Sequence, residues 1–293
     1  MRKFNIRKLR FLIFLLLIVV GIVYIAFPIA VGWYATWRHP AKIGQMPEGF
    51  NNLELTTSDG IKLAAWYAPP ENGAVILLLH GSTSSRNSID NYAKMLSNNG
   101  FGVLAFDLRG HGESGGKGNA YGWNGLLDVG AAMDFLKNQA DVKLIGGLGL
   151  SLGGEILLSA ASTYPEIKAV ISDGATYRSI DDYLILPSRR NLIRSWTTRL
   201  MYASVQVFSG ETPPLKMMDS MKEAQDTNFF LIAAGDVDKE IEYNTCYRDA
   251  VGERAELWVA PKVGHIDAYN CYPEEYEELV ISFYKKSLLS IEG

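Results

Sequence analysis

Three residue types, met in one order along the chain, invite hydrolytic chemistry: a serine set among glycines, then acids, then a histidine. The serine is Ser151, in "IGGLGLSLGG" (145–154), where it occupies the centre of Gly149-Leu150-Ser151-Leu152-Gly153, the pattern G-x-S-x-G. Glycine is entropically costly in a regular element, so such crowding signals a need for backbone freedom or close approach. An apolar run ends at the serine and a helical pattern, "LGGEILLSAAS", starts directly after it. A strand–turn–helix of this kind projects a hydroxyl from a strained turn, and side chains two positions to either side would collide. Gly149 and Gly153 are read as the residues that relieve that collision.

A serine hydroxyl becomes a useful nucleophile when a base removes its proton and an acid holds that base. With a serine on such a turn, the partners follow in the order acid, then histidine. The chain has four histidines, His39, His80, His111 and His265, and only His265, in "APKVGHIDAY", follows Ser151. The acid is expected at the end of the preceding strand, where "FFLIAAGDVD" supplies Asp236 and Asp238. Asp236 directly follows Gly235, whereas Asp238 lies further out on the loop and is the expected acid. A developing oxyanion needs two backbone N–H donors. Leu152, at the start of the helix, is one expected donor; Ser82, in "AVILLLHGSTSS", is the other.

These residues require a sheet to hold them. Strand-length apolar runs recur at 62–68, 74–80, 102–107, 143–150, 168–173, 229–236 and 255–260. Several are continuous in Val, Ile and Leu, as in strands buried on both faces. Helical patterns separate them, so the expected fold is α/β, a mostly parallel sheet covered on both sides. "NNLELTTSDGIKLAAWYAP" reads as an antiparallel hairpin turning at Ser58-Asp59-Gly60. Residues 176–227 break the rhythm with no strand-like run and an amphipathic stretch, "RRNLIRSWTTRLMYASVQVF". They are read as a helical cap insertion over the site, within a domain spanning 43–293.

Over residues 50–290 the chain resembles the α/β-hydrolase superfamily. The resemblance rests on "LLLHGSTSS", "AFDLRGHGESGG", "GLGLSLGG", "AAGDVD" and "VGHIDAY", in that order. It implies a G-x-x-D triad acid at Asp238, and a structural loop at 107–114 whose Asp107 and Arg109 brace rather than react. Where that family often continues x-x-V-P after the acid, this chain has Lys239-Glu240-Ile241-Glu242. The nearest shape is the membrane-anchored, prolyl-oligopeptidase-like branch.

The N-terminus carries a separate signal. Residues 1–42 hold seven Lys or Arg and no acid, and removing them from the net charge of −4 leaves −11 for the rest. An acidic body argues against nucleic-acid binding. Residues 1–10 form a basic tail, and 11–37 are free of charge. About 20 apolar helical residues cross a bilayer, so 11–37 is read as an uncleaved transmembrane helix with Trp33, Tyr34 and Trp37 at an interface. Five basic residues precede it and two follow, which places the N-terminus in the cytoplasm and the catalytic domain outside.

Gly110-x-Gly112-x-x-Gly115 mimics a dinucleotide fingerprint but "GGKGNAYGW" stands where its helix should begin. No metal-ligand spacing and no cofactor is indicated. The expectation is a serine hydrolase that cleaves carboxylic esters through an acyl-enzyme on Ser151, with an apolar acyl group suggested by Met217, Met218 and Met221. A peptidase or amidase, or a non-catalytic binding module on the same scaffold, is the alternative. Cys246 and Cys271 each follow a proposed catalytic loop, which makes a disulfide between them conceivable.

Overall fold

The computed structural model describes residues 6–291. Arg2 and Lys3 of the basic tail lie outside them. The strands are β1 (His39–Pro40), β2 (Asn51–Thr56), β3 (Lys62–Ala68), β4 (Ala74–Leu79), β5 (Gly102–Phe106), β6 (His111–Gly112), β7 (Leu144–Leu150), β8 (Ile167–Asp173), β9 (Asn228–Ala234) and β10 (Ala255–Ala260). Eight of them form one sheet in the order β10-β9-β8-β7-β4-β5-β3-β2. All neighbours are parallel except β2 with β3 and β3 with β5. The β2–β3 hairpin turns where expected, with Gly60 at φ +81 and Thr57 and Ile61 closing the turn. This is the α/β-hydrolase fold.

β4 shows why these runs are strands. All six residues of "AVILLL" are fully buried, and alternate side chains enter opposite layers. Val75, Leu77 and Leu79 join one core; Ala74, Ile76 and Leu78 join the other. The helices divide accordingly. α3 (Asp90–Asn98) and α11 (Pro273–Ser287) cover one face, while α4 (Gly125–Leu136), α5 (Leu152–Thr163), α8 (Met217–Glu223) and α9 (Asp238–Val251) cover the other. α11 opens with Pro273, Glu274 and Glu275 and closes with Lys285 and Lys286, each at the helix end its charge or ring favours.

The N-terminal helix and the part of the insertion before α8 lie outside this sandwich. α1 (Ile6–Gly21) continues through one π-helical turn (Ile22–Ala26) into α2 (Phe27–Tyr34), giving a 29-residue helix long and apolar enough to cross a bilayer. It stops at Tyr34, three residues short of the expected end. β1 follows and pairs with β6, His39 beside His111. The segment 176–227 is helical as expected: α6 (Ile180–Tyr183), α7 (Leu192–Ser209) and α8, with α10 (Ala268–Cys271) the remaining helix. Asn191 caps α7 by accepting from Ile193 and Arg194 N–H, and Gly210 ends it at φ +75.

Candidate active site

Ser151 joins β7 to α5 at φ +49, ψ −116, a conformation that L residues avoid. The turn is pinned by Ser151 N–H donating to Asp173 O at 2.7 Å and Glu155 N–H donating to Ser151 O at 3.0 Å. The two flanking glycines are required by space. A Cβ on Gly153 would sit 2.5 Å from Leu79 O and 2.8 Å from His80 O, and one on Gly149 would strike the backbone of Gly153 and Gly154.

Ser151 Oγ lies 2.9 Å from His265 Nε2. His265 enters on the loop after β10, beside Ile266 at φ +52, and its ring rests against Gly174. The carboxylate on its other nitrogen is not Asp238. His265 Nδ1 lies 2.6 Å from Glu240 Oε1, and Glu240 Oε2 accepts from Ala234 N–H at 2.9 Å. Glu240 is fully buried, whereas Asp236 and Asp238 are exposed. The expected acid is therefore corrected. α9 starts at Asp238, and two helical residues are separated by about 200°, so with Asp238 turned to solvent Glu240 faces inward. The hydrogen bond to Glu240, then its charge, raises the His265 pKa above its ordinary value, against a lowering by burial.

Leu152 is the first residue of α5, a position whose N–H has no acceptor within the helix. Ser82 lies on the loop after β4, and a Cβ on Gly81 of that loop would lie 3.6 Å from Ser151 Cβ. Thr83 beside it has φ +57, and two further positive-φ residues, Ser151 and Ile266, line the cleft. The loop's shape is held by His80, whose Nδ1 donates to Gly81 O at 2.7 Å while Nε2 accepts from Leu108 N–H at 3.0 Å. That role needs a neutral imidazole, and burial lowers the His80 pKa to about 4. Behind it, Asp107 accepts from Arg86 N–H at 2.7 Å and Glu113 N–H at 2.9 Å. Arg109 binds Asp128 at 2.7 Å and Asp59 at 2.8 Å. Both expected bracing residues thus sit in buried polar networks away from Ser151.

A cleft of about 490 Å³ opens over Ser151, Ser82 and His265, walled by Ser84, Ser88, Asn91, Tyr92, Asp267, Tyr269 and Asn270 among others. No residue of 176–227 lines it, so the insertion does not close over this opening. Met217 and Met221 are fully buried and Met218 packs against the same core, which removes the basis for an apolar acyl pocket built from them. Buried Asp173, at the end of β8, accepts from Tyr276 Oη at 3.2 Å, and burial pushes its pKa up to about 7. Cys246 and Cys271 are free thiols. Among the described residues, no cluster of His, Cys, Asp and Glu could hold a metal ion.

Residues 70–229 match the family model described as serine aminopeptidase, S33. The match contains Ser82, Leu152 and Ser151 and stops before Glu240 and His265. The chain is 25% identical over 293 residues to the uncharacterized protein YfhR of Escherichia coli O157:H7, covering 94% of this chain and 95% of that protein. Among solved structures it is similar to the Pyrococcus furiosus esterase Pf2001, with 27% identity, a TM-score of 0.66, and coverage of 86% of this chain and 98% of the esterase. The dienelactone hydrolase of Anabaena variabilis shares the fold, with 19% identity, a TM-score of 0.57, and coverage of 83% and 100%.

Proposed function

The chain belongs to the serine aminopeptidase S33 family of α/β-hydrolases, and from that premise we propose that it is a membrane-anchored serine hydrolase acting through Ser151, His265 and Glu240. The observation that carries this reading is the unbroken line from Ser151 Oγ to His265 Nε2 at 2.9 Å and from Nδ1 to Glu240 at 2.6 Å. Ser151 Oγ attacks the acyl carbonyl as His265 Nε2 takes the hydroxyl proton, and Glu240 stabilises the imidazolium. The Leu152 and Ser82 N–H groups face the developing oxyanion. Collapse of the tetrahedral species expels the leaving group, which receives the proton from His265. Water, deprotonated by the same ring, then releases the acid and restores the serine.

A carboxylic ester is the preferred substrate class, supported by the similarity to the Pyrococcus esterase along nearly its whole length. The cleft wall mixes polar side chains, Ser84, Ser88, Asn91, Asp267 and Asn270, with the apolar Leu150 and Ile266, so it offers hydrogen bonds without excluding an alkyl acyl group. A peptide or amide is the second reading, favoured by the family's own description. A panel of p-nitrophenyl esters of increasing acyl length, run beside aminoacyl anilides, separates them. Turnover of the esters supports the proposal, and turnover confined to anilides replaces it with the second reading. Turnover of neither, with no covalent labelling, would leave a binding module. The 29-residue helix, free of charge beyond Arg10, and the basic residues at and before its start support an anchor with the N-terminus in the cytoplasm.

A further inference from the structure

The cleft over Ser151 has one carboxylate in its wall, that of Asp267, and among the described residues no Lys or Arg lines it. Asp267 Oδ1 accepts from Asn270 Nδ2 at 2.9 Å, and Oδ2 accepts from Cys271 Sγ at 3.6 Å. A carboxylate offers about four acceptor sites, so these contacts, one of them from a weak thiol donor, leave room for a charged partner. The same wall carries two aromatic rings. Tyr92 and Tyr269 lie 4.7 Å apart between centroids, and Tyr276 backs them at 5.8 and 5.2 Å. Burial, then Asp173, Tyr269 and Asp267 in turn, raise the Tyr92 hydroxyl above its ordinary pKa, so that ring stays a neutral phenol among negative charges. A carboxylate pairs with a cation and an aromatic ring attracts one, and neither draws an anion.

His265 decides which part of a substrate these groups meet. Its Nε2, 2.9 Å from Ser151 Oγ, hands the proton to the departing alcohol, so the chain that carries the ring borders the leaving group. Asp267 and Tyr269 follow His265 closely, on the same loop and the short helix α10, and all three line one cleft. The net charge of −11 beyond residue 42 also draws cations towards the domain.

We propose that Asp267, with Tyr92 and Tyr269, forms a specificity site for a cationic alcohol, so that the preferred esters are those whose leaving group carries an ammonium. This rests on the reading of Ser151, His265 and Glu240 as an ester-cleaving triad. Asp267 meets the charge of the leaving group and not the reacting atoms, so it selects the substrate without joining the proton transfer. An ion pair and an aromatic contact in a half-open site each contribute up to about fivefold, and a combined preference of about tenfold is expected.

The test uses the full chain in detergent and two acetates of one shape, that of (trimethylammonio)ethanol and that of its all-carbon counterpart, (tert-butyl)ethanol. kcat/KM is measured for each and corrected for the ester's own rate with hydroxide. The unmodified chain is expected to favour the charged acetate by about tenfold, and Asp267→Asn, which keeps the shape, to reduce that preference to about twofold or less. Equal turnover of the two by the unmodified chain overturns the proposal and leaves ester hydrolysis standing. A preference that survives Asp267→Asn undiminished also overturns it, because the cation is then held elsewhere. A second measurement needs no variant: tetramethylammonium chloride should inhibit turnover of the neutral acetate competitively, relative to sodium chloride at equal ionic strength. Absence of that inhibition counts against the site even where Asp267→Asn fails to fold. Turnover of neither acetate overturns the ester reading and this proposal together.

Discussion

At residue scale the acid separates two assignments that sequence alone left close together. Replacing Glu240 by Gln leaves His265 without its anionic partner and in an unfavoured tautomer, and kcat is expected to fall by about 10³–10⁴-fold. Asp238→Asn, at an exposed position outside the hydrogen-bonded line, is expected to change kcat by less than about twofold. Steady-state kinetics on one ester decides between them. The pH profile carries the same information. His265 must be neutral to accept the serine proton, so kcat/KM should fall as pH drops through a value above the ordinary 6.5 of histidine. In Glu240→Gln the main cause of that rise is gone and burial, which lowers the pKa, remains. The acid limb of the residual activity should therefore move to lower pH; a limb that stays in place would detach Glu240 from His265. Ser151 and His265 were legible because a glycine-flanked serine and chain order leave few candidates. Glu240 was not, because its inward direction depends on the helix starting at Asp238, and the sequence places no helix cap at Val237.

At the scale of elements, the loops are aimed by close backbone approach rather than by bulk. Gly174 follows β8 at φ +78, and a Cβ there would lie 2.9 Å from His265 Cε1 and 3.0 Å from Nδ1. Gly174→Ala should push the imidazole off line and lower kcat by about 10²-fold, the cost of a displacement near 1 Å. KM and the cooperativity of thermal unfolding should change little, and an unchanged kcat would show that the ring position is set elsewhere. The strands were readable because their side chains alternate into two cores or fill both, as in β4. What the sequence hid was which surface each insertion covers. "MMDSM" has the composition of a pocket wall and instead packs α8 against α5 in the core. Periodicity reports that a face is apolar, not what buries it.

At the scale of the molecule, the catalytic domain hangs from a helix with Arg7, Lys8 and Arg10 at its start. A phosphatase reporter that folds only outside the cytoplasm, fused after Gly293, should be active, and a reporter that folds only inside should not. The opposite pair of results would reverse the topology without touching the active-site geometry. The long apolar helix was legible from the absence of charge between Phe11 and Trp37. Its π-helical turn and its pairing with α7 were not, since they depend on Pro28 and Gly32 meeting a helix some 170 residues away in sequence.

The central claim is that Ser151 is a nucleophile activated by His265 and Glu240. The most direct measurement is covalent labelling of the full chain by a fluorophosphonate, with the modified residue located by peptide mass spectrometry. One phosphonyl group is expected, on Ser151. Labelling should be abolished in Ser151→Ala and strongly slowed in His265→Ala and Glu240→Gln, while Asp238→Asn labels at the rate of the unmodified chain. Modification at Ser82 or Ser114, or labelling of Ser151 at an unaltered rate in His265→Ala, would contradict it.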